Sequence, residues 1–341
     1  MSELHKFIFD GLPVRGAIVR LTDAWTEILS RRAANSATGA YPLPVQALLG
    51  EMAAAGVLMQ SGIKFDGALI LQIHGDGPVK LLVAEVQGDL RLRATATVQG
   101  EVPAGASLSA MVNVDNHGRC AITLDPQTKL RGQQPYRGVV PLFGDKHEKL
   151  ERTSDVLAHY MLQSEQLDTT LVLAADGKVA AGLLIQRMPE INWGQIPLNS
   201  PKFFQGKQVE SDPNYSERKI GRDEDFNRIA ILANTLKREE LLTLDVDTLL
   251  HRLFWEEKLL RFEPQAGDTA PRFACTCSRE RVSRMIHSLG ADEAEGIIAE
   301  RKEIEVGCDF CGQQYRFDAV DAAQIFTAPG QVMAGPAGGL Q

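Results

Sequence analysis

The sequence predicts an α+β N-terminal domain with mixed sheets and helices, then a helical linker, then a small C-terminal four-cysteine domain. Three observations carry this. Strand-like and helix-like apolar patterns are interleaved up to Met188. The composition then turns polar and rich in Pro, Gly and Asn. Two close cysteine pairs, Cys275/Cys277 and Cys308/Cys311, stand near the C-terminus with 30 residues between them. The expected boundaries are 1–188 for the core domain, 189–266 for a linker (a polar loop, then two amphipathic helices), 267–327 for the cysteine domain and 328–341 for a disordered tail.

Val14–Leu21 is strand-like, and Asp23 is placed to cap a helix carrying Trp25, Ile28 and Leu29. Pro42–Ser61 spells a long apolar helix. A series of strands follows, Ala68–Ile73, Val79–Val86, Leu90–Val98 and Ala121–Leu124, separated by turns such as His74-Gly75-Asp76-Gly77-Pro78. Ser154–Ser164 is helical, and Thr170–Ala174 and Ala181–Arg187 pair naturally as strands. Runs of both types that do not alternate strictly point to α+β architecture.

Asn, Pro, Gly, Lys and Ser accumulate from Pro189 to about Arg222, which predicts a long loop. Beyond it, Phe226, Ile229, Ala230, Ala233, Leu236 and Glu240 recur at helical spacing, with Asp223 or Asp225 as the cap. Leu250, Leu253 and Phe254 mark a second helix, capped by Asp247. The candidate apolar face of the linker is Phe226, Ile229, Ala233, Leu236, Leu250, Leu253 and Phe254. It is too much apolar surface for a short segment to bury by itself.

The C-terminal block predicts a helix from Ser278 with Val282, Met285, Ile286 and Leu289 on one face and Gly290 at its end. A second helix is expected from Asp292, with Glu295 in a capping box, and a third from Asp318. The last fourteen residues, APGQVMAGPAGGLQ, have the composition of a disordered tail.

The chain has 341 residues and a formal net charge of −8, with 44% hydrophobic and 23% charged residues. An acidic chain is poorly suited to phosphate backbones or anionic lipid, so neither nucleic acid nor membrane is an expected partner. The N-terminus lacks a basic segment followed by an apolar one, and the apolar run Leu43–Met59 contains Pro44, Gln46 and Glu51 and is short for a membrane helix. A cytoplasmic location is expected. There, close cysteine pairs signal metal or redox chemistry before structural disulfides. Cys120, alone in a strand-like run, is expected to be a small buried hydrophobe.

Four soft thiolates suit one tetrahedral zinc in a closed site. Cys308-Asp309-Phe310-Cys311-Gly312 has the spacing of a zinc knuckle, whereas Cys275-Thr276-Cys277 is tighter than usual. A block this small should draw much of its folding free energy from the metal, roughly 10–16 kcal/mol in apparent terms for structural zinc in small peptides. Arg272, Arg279, Arg281 and Arg284 are close enough in sequence to offset the cluster's charge and favour thiolate. His287 is an alternative ligand. On spacing alone, a permanent zinc staple and a reactive cluster both remain open.

The segments CTCSRERV and AERKEIEVGCDFCGQQYRFD resemble the redox-regulated chaperones of the heat-shock protein 33 (33 kDa chaperonin) family. VRGAIV, KFDGALILQIHGDGP, YMLQSEQL, AAGLLIQRMP and REELLTL extend the resemblance over most of the chain in the family's order. The polar stretch 192–222 and the Gly/Ala-rich tail depart from a typical member. The resemblance implies an ATP-independent holdase that is inactive while Cys275, Cys277, Cys308 and Cys311 hold zinc. It implies that oxidation joins Cys275 to Cys277 and Cys308 to Cys311, releases zinc, and unfolds the zinc domain and linker. The active form would be a homodimer that binds unfolding client proteins under oxidative stress. No Walker-type phosphate loop is present, and GDGP at Gly75 spells a turn.

Rival functions fare worse. A zinc hydrolase needs an open coordination position that four cysteines do not leave. A zinc-ribbon nucleic-acid binder conflicts with the net charge. A thiol–disulfide oxidoreductase lacks the neighbouring βαβ pattern. The sequence therefore predicts a protein that is not an enzyme.

Overall fold

The computed structural model describes residues 1–35, 38–128, 135–188 and 215–327, with side chains from Glu224 onward in the helix that begins at Tyr215. Of the polar loop expected from Pro189 to about Arg222, residues 189–214 lie outside the described residues and 215–222 are helical instead; the tail from 328 also lies outside the described residues. Two compact units emerge, Met1–Ala274 and Cys275–Gln341.

The first unit opens with strands β1 (Glu3–Phe9) and β2 (Val14–Leu21), followed by helices α1 (Asp23–Ala34) and α2 (Leu43–Ser61). Strands β3 (Gly67–His74), β4 (Val79–Gln87) and β5 (Arg91–Val98), the short helix α3 (Leu108–Val112), and strands β6 (Arg119–Pro126) and β7 (Tyr136–Pro141) come next. After α4 (Thr153–Glu165) the hairpin β8 (Thr169–Ala175) and β9 (Ala180–Arg187) leads to α5 (Tyr215–Asn234), α6 (Arg238–Thr243) and α7 (Val246–Phe254). Strands β10 (Leu259–Arg261) and β11 (Arg272–Phe273) end the unit.

These strands make two sheets. One has the order β10-β1-β2-β9-β8 and is antiparallel throughout. The other has the order β11-β5-β4-β3-β6-β7, antiparallel except for the short β11–β5 pairing. Helix α2 lies against strands of both sheets. Among the described residues it is the one helix long and apolar enough to cross a membrane, and 72% of its apolar window is buried inside the protein. A helix that is apolar on every side needs cover on every side. Close approach is possible because Gly50 faces Ala175, where an added Cβ would lie 2.4 Å from the alanine methyl.

The five-stranded sheet is apolar on both faces. Successive strand residues point to opposite sides. Leu4, Ala17, Val19, Leu21, Leu171 and Leu184 join the core around α2. Their alternates Phe7, Phe9, Ile18, Ala181, Leu183 and Ile185 form a second core on the other side. Gly16 opens room on that side, since a Cβ there would lie 2.2 Å from the Phe7 ring.

Several local expectations are corrected. β1, α3, β7, β10 and β11 are additions to the elements expected of this unit. Asp23 is the first residue of α1 rather than its cap. The N-cap is Thr22, and the free N–H groups of Thr22 and Ala24 are met by Ser2 Oγ at 3.1 and 3.3 Å. Asp223 and Asp225 lie inside α5, which starts a turn or more earlier at Tyr215. Asp245, not Asp247, caps α7, accepting the Thr248 N–H at 2.9 Å. The single helix expected from Phe226 to Glu240 is broken after Asn234. Glu240 begins a new helix by accepting the Lys237 N–H at 2.9 Å, while Leu236 stays buried in the break.

The second unit contains α8 (Arg279–Leu289), α9 (Ala291–Arg301), the hairpin β12 (Ile304–Gly307) and β13 (Gln314–Phe317), and α10 (Ala319–Thr327). Its core is small: Ile286, Ala294, Ile304, Phe317 and Ala322 are its buried members among the described residues. Ser278 caps α8 through the Arg281 N–H, and Asp318 receives the N–H groups of Val320 and Asp321. Met285 and Leu289 are exposed, because Ile286 and Val282 alone of the expected face turn inward. The capping box expected at Glu295 is absent: Gly290 is the N-cap of α9 and offers no side chain.

Candidate metal centre

The four cysteines are carried by two local devices in the second unit. Cys275 and Cys277 lie in the extended segment just before the Ser278 cap of α8. Cys308 and Cys311 lie in the turn between β12 and β13. That turn is closed by Cys308 N–H to the Gln313 carbonyl at 2.9 Å and Gly312 N–H to the Cys308 carbonyl at 2.8 Å. Gly312 has φ +74°, a left-handed conformation that glycine adopts without strain.

The four sulfurs all lie within 4.8 Å of one another. Cys275 Sγ is 3.6 Å from Cys308 Sγ, and Cys277 Sγ is 3.4 Å from Cys311 Sγ. Tetrahedral zinc with bonds of about 2.3 Å places its sulfurs ~3.8 Å apart. The donor set and its spacing therefore fit one tetrahedral metal ion.

Backbone N–H groups point at three of the sulfurs. Cys277 N–H serves Cys275, the N–H groups of Phe310 and Cys311 serve Cys308, and that of Gln313 serves Cys311. Partial burial pushes the Cys275 thiol up, but the Cys277 N–H and hydrogen bonds among the cysteines outweigh it and bring it down to about 7. For Cys308 and Cys311 burial prevails, and both are shifted upward. Tyr315 adds a side-chain contact: its hydroxyl donates to Cys277 Sγ at 3.1 Å. Tyr315 is not among the residues expected from the sequence. Its signal was the alternation of β13, which puts it on the same side as the buried Phe317.

The expected arginine shell is arranged differently. Arg272 belongs to the first unit and faces Asp89 at 3.4 Å. Arg279 binds Asp321 at 2.7 Å and the Arg316 carbonyl at 2.8 Å while lying over the Phe317 ring. Arg281 reaches the C-x-C turn, donating to Thr276 Oγ1 at 2.8 Å. His287 stacks on Phe326 with ring centroids 5.5 Å apart and is not a member of the metal-competent group. Cys120 is buried in β6, and burial pushes its thiol up to about 12, which makes it inert.

In the first unit, every residue of the expected linker face (Phe226, Ile229, Ala233, Leu236, Leu250, Leu253 and Phe254) is buried in the second core, against the outer side of the five-stranded sheet. Phe254 meets Phe9 edge-on, with centroids 5.1 Å apart and planes at 87°. Polar contacts tie the helices down. Arg20 of β2 donates to the carbonyls of Leu241 and Leu244 at 2.9 and 2.6 Å. Arg252 pairs with Glu240 at 2.7 Å.

A family model described as "Hsp33 protein" matches residues 2–318. The chain belongs to the Hsp33 family. Its relatives include the 33 kDa chaperonins of Chromobacterium violaceum and Methylobacillus flagellatus. The first is 42% identical over 95% of this chain and 94% of its own length, the second 40% identical over 96% and 94%. The fold also matches the crystal structure of the heat shock protein 33 homolog from Thermotoga maritima. That match has a TM-score of 0.66 at 19% identity, over 95% of this chain and 97% of that one. The mixed α/β first unit and the C-terminal cysteine cluster are thus the architecture of an Hsp33-family chaperone.

Proposed function

We propose that this Hsp33-family chain is a redox-switched, ATP-independent holdase of the cytoplasm, not an enzyme, in which residues 1–188 are the chaperone core, 189–266 the switchable linker and 267–327 the zinc domain. The observation that carries the proposal is the gathering of four sulfurs within 4.8 Å in a unit whose own core is small. Cys275, Cys277, Cys308 and Cys311 hold one zinc per chain, which supplies the cross-link that this unit's apolar core is too small to replace. Oxidation joins Cys275 to Cys277 and Cys308 to Cys311. Each pair yields two electrons to a peroxide, which takes up two protons and leaves as two waters. All four thiolates are then lost as ligands.

Structural zinc is worth on the order of 10 kcal/mol or more, comparable with the whole stability of a typical domain at about 5–15 kcal/mol. Its loss unfolds the zinc domain and, with it, the linker helices. The uncovered apolar surface binds unfolding client proteins, and the active form is a homodimer. The acidic residues Glu239, Glu240, Asp245, Asp247, Glu256 and Glu257 keep the released linker soluble.

The test is suppression of aggregation of a thermally unfolding protein, before and after treatment with peroxide at mild heat, with zinc release read in parallel. Activity appearing together with release of one zinc per chain is expected. Full activity in the zinc-loaded, reduced protein would overturn the switch.

A further inference from the structure

We propose that Tyr315 is a positioning residue of the four-cysteine centre: its hydroxyl, donating to Cys277 Sγ, restrains the donor strength and nucleophilicity of that sulfur and so sets how readily the centre opens. This deepens the proposed function and rests on its reading of the cysteines as metal ligands.

The donor is placed by the fold. Gly312 ends the Cys308–Cys311 turn, and β13 starts two residues later. Strand alternation sends Gln314 and Arg316 outward, while Tyr315 and Phe317 turn toward the small core. Tyr315 is opposite Val306 in the β12–β13 ladder, which fixes the ring's height. The hydroxyl then lies 3.1 Å from a sulfur that arrives from the other cysteine pair, 38 residues earlier in the chain.

The contact comes from a side chain. Cys275, Cys308 and Cys311 receive backbone N–H groups, which no side-chain substitution removes. Cys277 receives a phenol, so this bond can be tuned by one residue. A hydrogen bond to a ligating thiolate withdraws charge from its lone pairs. That weakens attack on electrophiles and raises the energy needed to move an electron from sulfur to metal. Outer hydrogen bonds of this kind commonly change metal affinity by about 10–100-fold.

The experiment loads full-length protein with one Co²⁺ per chain in place of zinc and records the sulfur-to-cobalt charge-transfer band for wild type and Tyr315→Phe. It also measures carbamidomethylation of each cysteine by iodoacetamide, in which sulfur displaces iodide, resolved by peptide mass. The expected result is a charge-transfer band at lower energy in Tyr315→Phe and alkylation of Cys277 faster by about tenfold, the size expected for losing one charge-assisted hydrogen bond. The band of wild type must report thiolate ligation. If it does not, the metal reading fails and takes this inference with it. If wild type shows the band and Tyr315→Phe changes neither its energy nor the Cys277 rate, the inference alone is overturned. Should Tyr315→Phe bind no metal, replacing Tyr315 by 3,5-difluorotyrosine decides. The stronger donor should move the band to higher energy, and an unmoved band overturns the proposal.

Discussion

Truncating one ring in the linker should imitate oxidation without touching a cysteine. Phe254 is 2% exposed and packs on Phe9 at 5.1 Å and Phe7 at 6.2 Å. Phe254→Ala removes a buried aromatic at a cost of about 3–5 kcal/mol. At 1.4 kcal/mol per factor of ten, the opening equilibrium of the linker helices rises by roughly 10² to 10⁴. Phe254→Asp and Leu253→Asp add the cost of burying a carboxylate and should act more strongly. The assay has three readings on the reduced protein: aggregation suppression, zinc content, and amide hydrogen exchange over residues 226–255. Activity should appear with zinc still bound, because the substitution lies outside the cysteine unit, and exchange should accelerate in α5 to α7 in step with it. The reasoning fails if the oxidised, active wild type keeps residues 226–255 fully protected, since the client surface would then arise elsewhere.

Cys308→Ser should lose stoichiometric zinc, and peptide mapping of the oxidised wild type should recover Cys275–Cys277 and Cys308–Cys311. Retained zinc, or a preponderance of cross-pairs, would refute the assignment. Glu51 lines a cavity of about 670 Å³ together with Leu48, Thr153 and Leu236, and burial pushes its carboxyl up to about 7 despite the hydrogen bond from Thr153. An acid whose folded-state pKa is raised binds more protons folded than unfolded, so it destabilises progressively as pH rises from about 4.5 through 7. Glu51→Gln should therefore raise stability by about 3 kcal/mol at pH 8 and by little at pH 4.5. A denaturant midpoint difference that is flat across that range would contradict this. Cys120 should resist iodoacetamide in native protein at pH 8, and its labelling at the rate of an exposed thiol would show that β6 opens readily.

The cysteine cluster was legible because ligand spacing is written directly in the sequence, and the linker face because its apolar residues keep a helical period. Strands β3 to β6, β8 and β9 were legible from their short apolar runs and the turns between them. What escaped was tertiary in origin. The N–H groups at the start of α1 are met by Ser2, a residue that lies just before β1 and some twenty positions away in the chain. The three-residue β10 carries too little pattern to announce itself and exists because β1 offers an edge. The arginines near the cysteines looked like one shell in sequence, but the fold sends Arg272 and Arg279 to separate carboxylates. Tyr315 escaped because the alternation of β13 gives only its side of the strand, while its partner sulfur lies 38 residues earlier in the chain.

The two-sided sheet acts as a party wall. One face belongs to the α2 core and the other to the helices that follow β9, so removing those helices strips one side and leaves the other bonded. The strand registers that define where the helices sit are held from behind by residues such as Val19 and Leu184. A linker released as proposed would thus leave its own mould standing. Under the proposed switch, the returning helices α5 to α7 would then settle onto a surface whose shape has been kept, so that their part of the return is a local search.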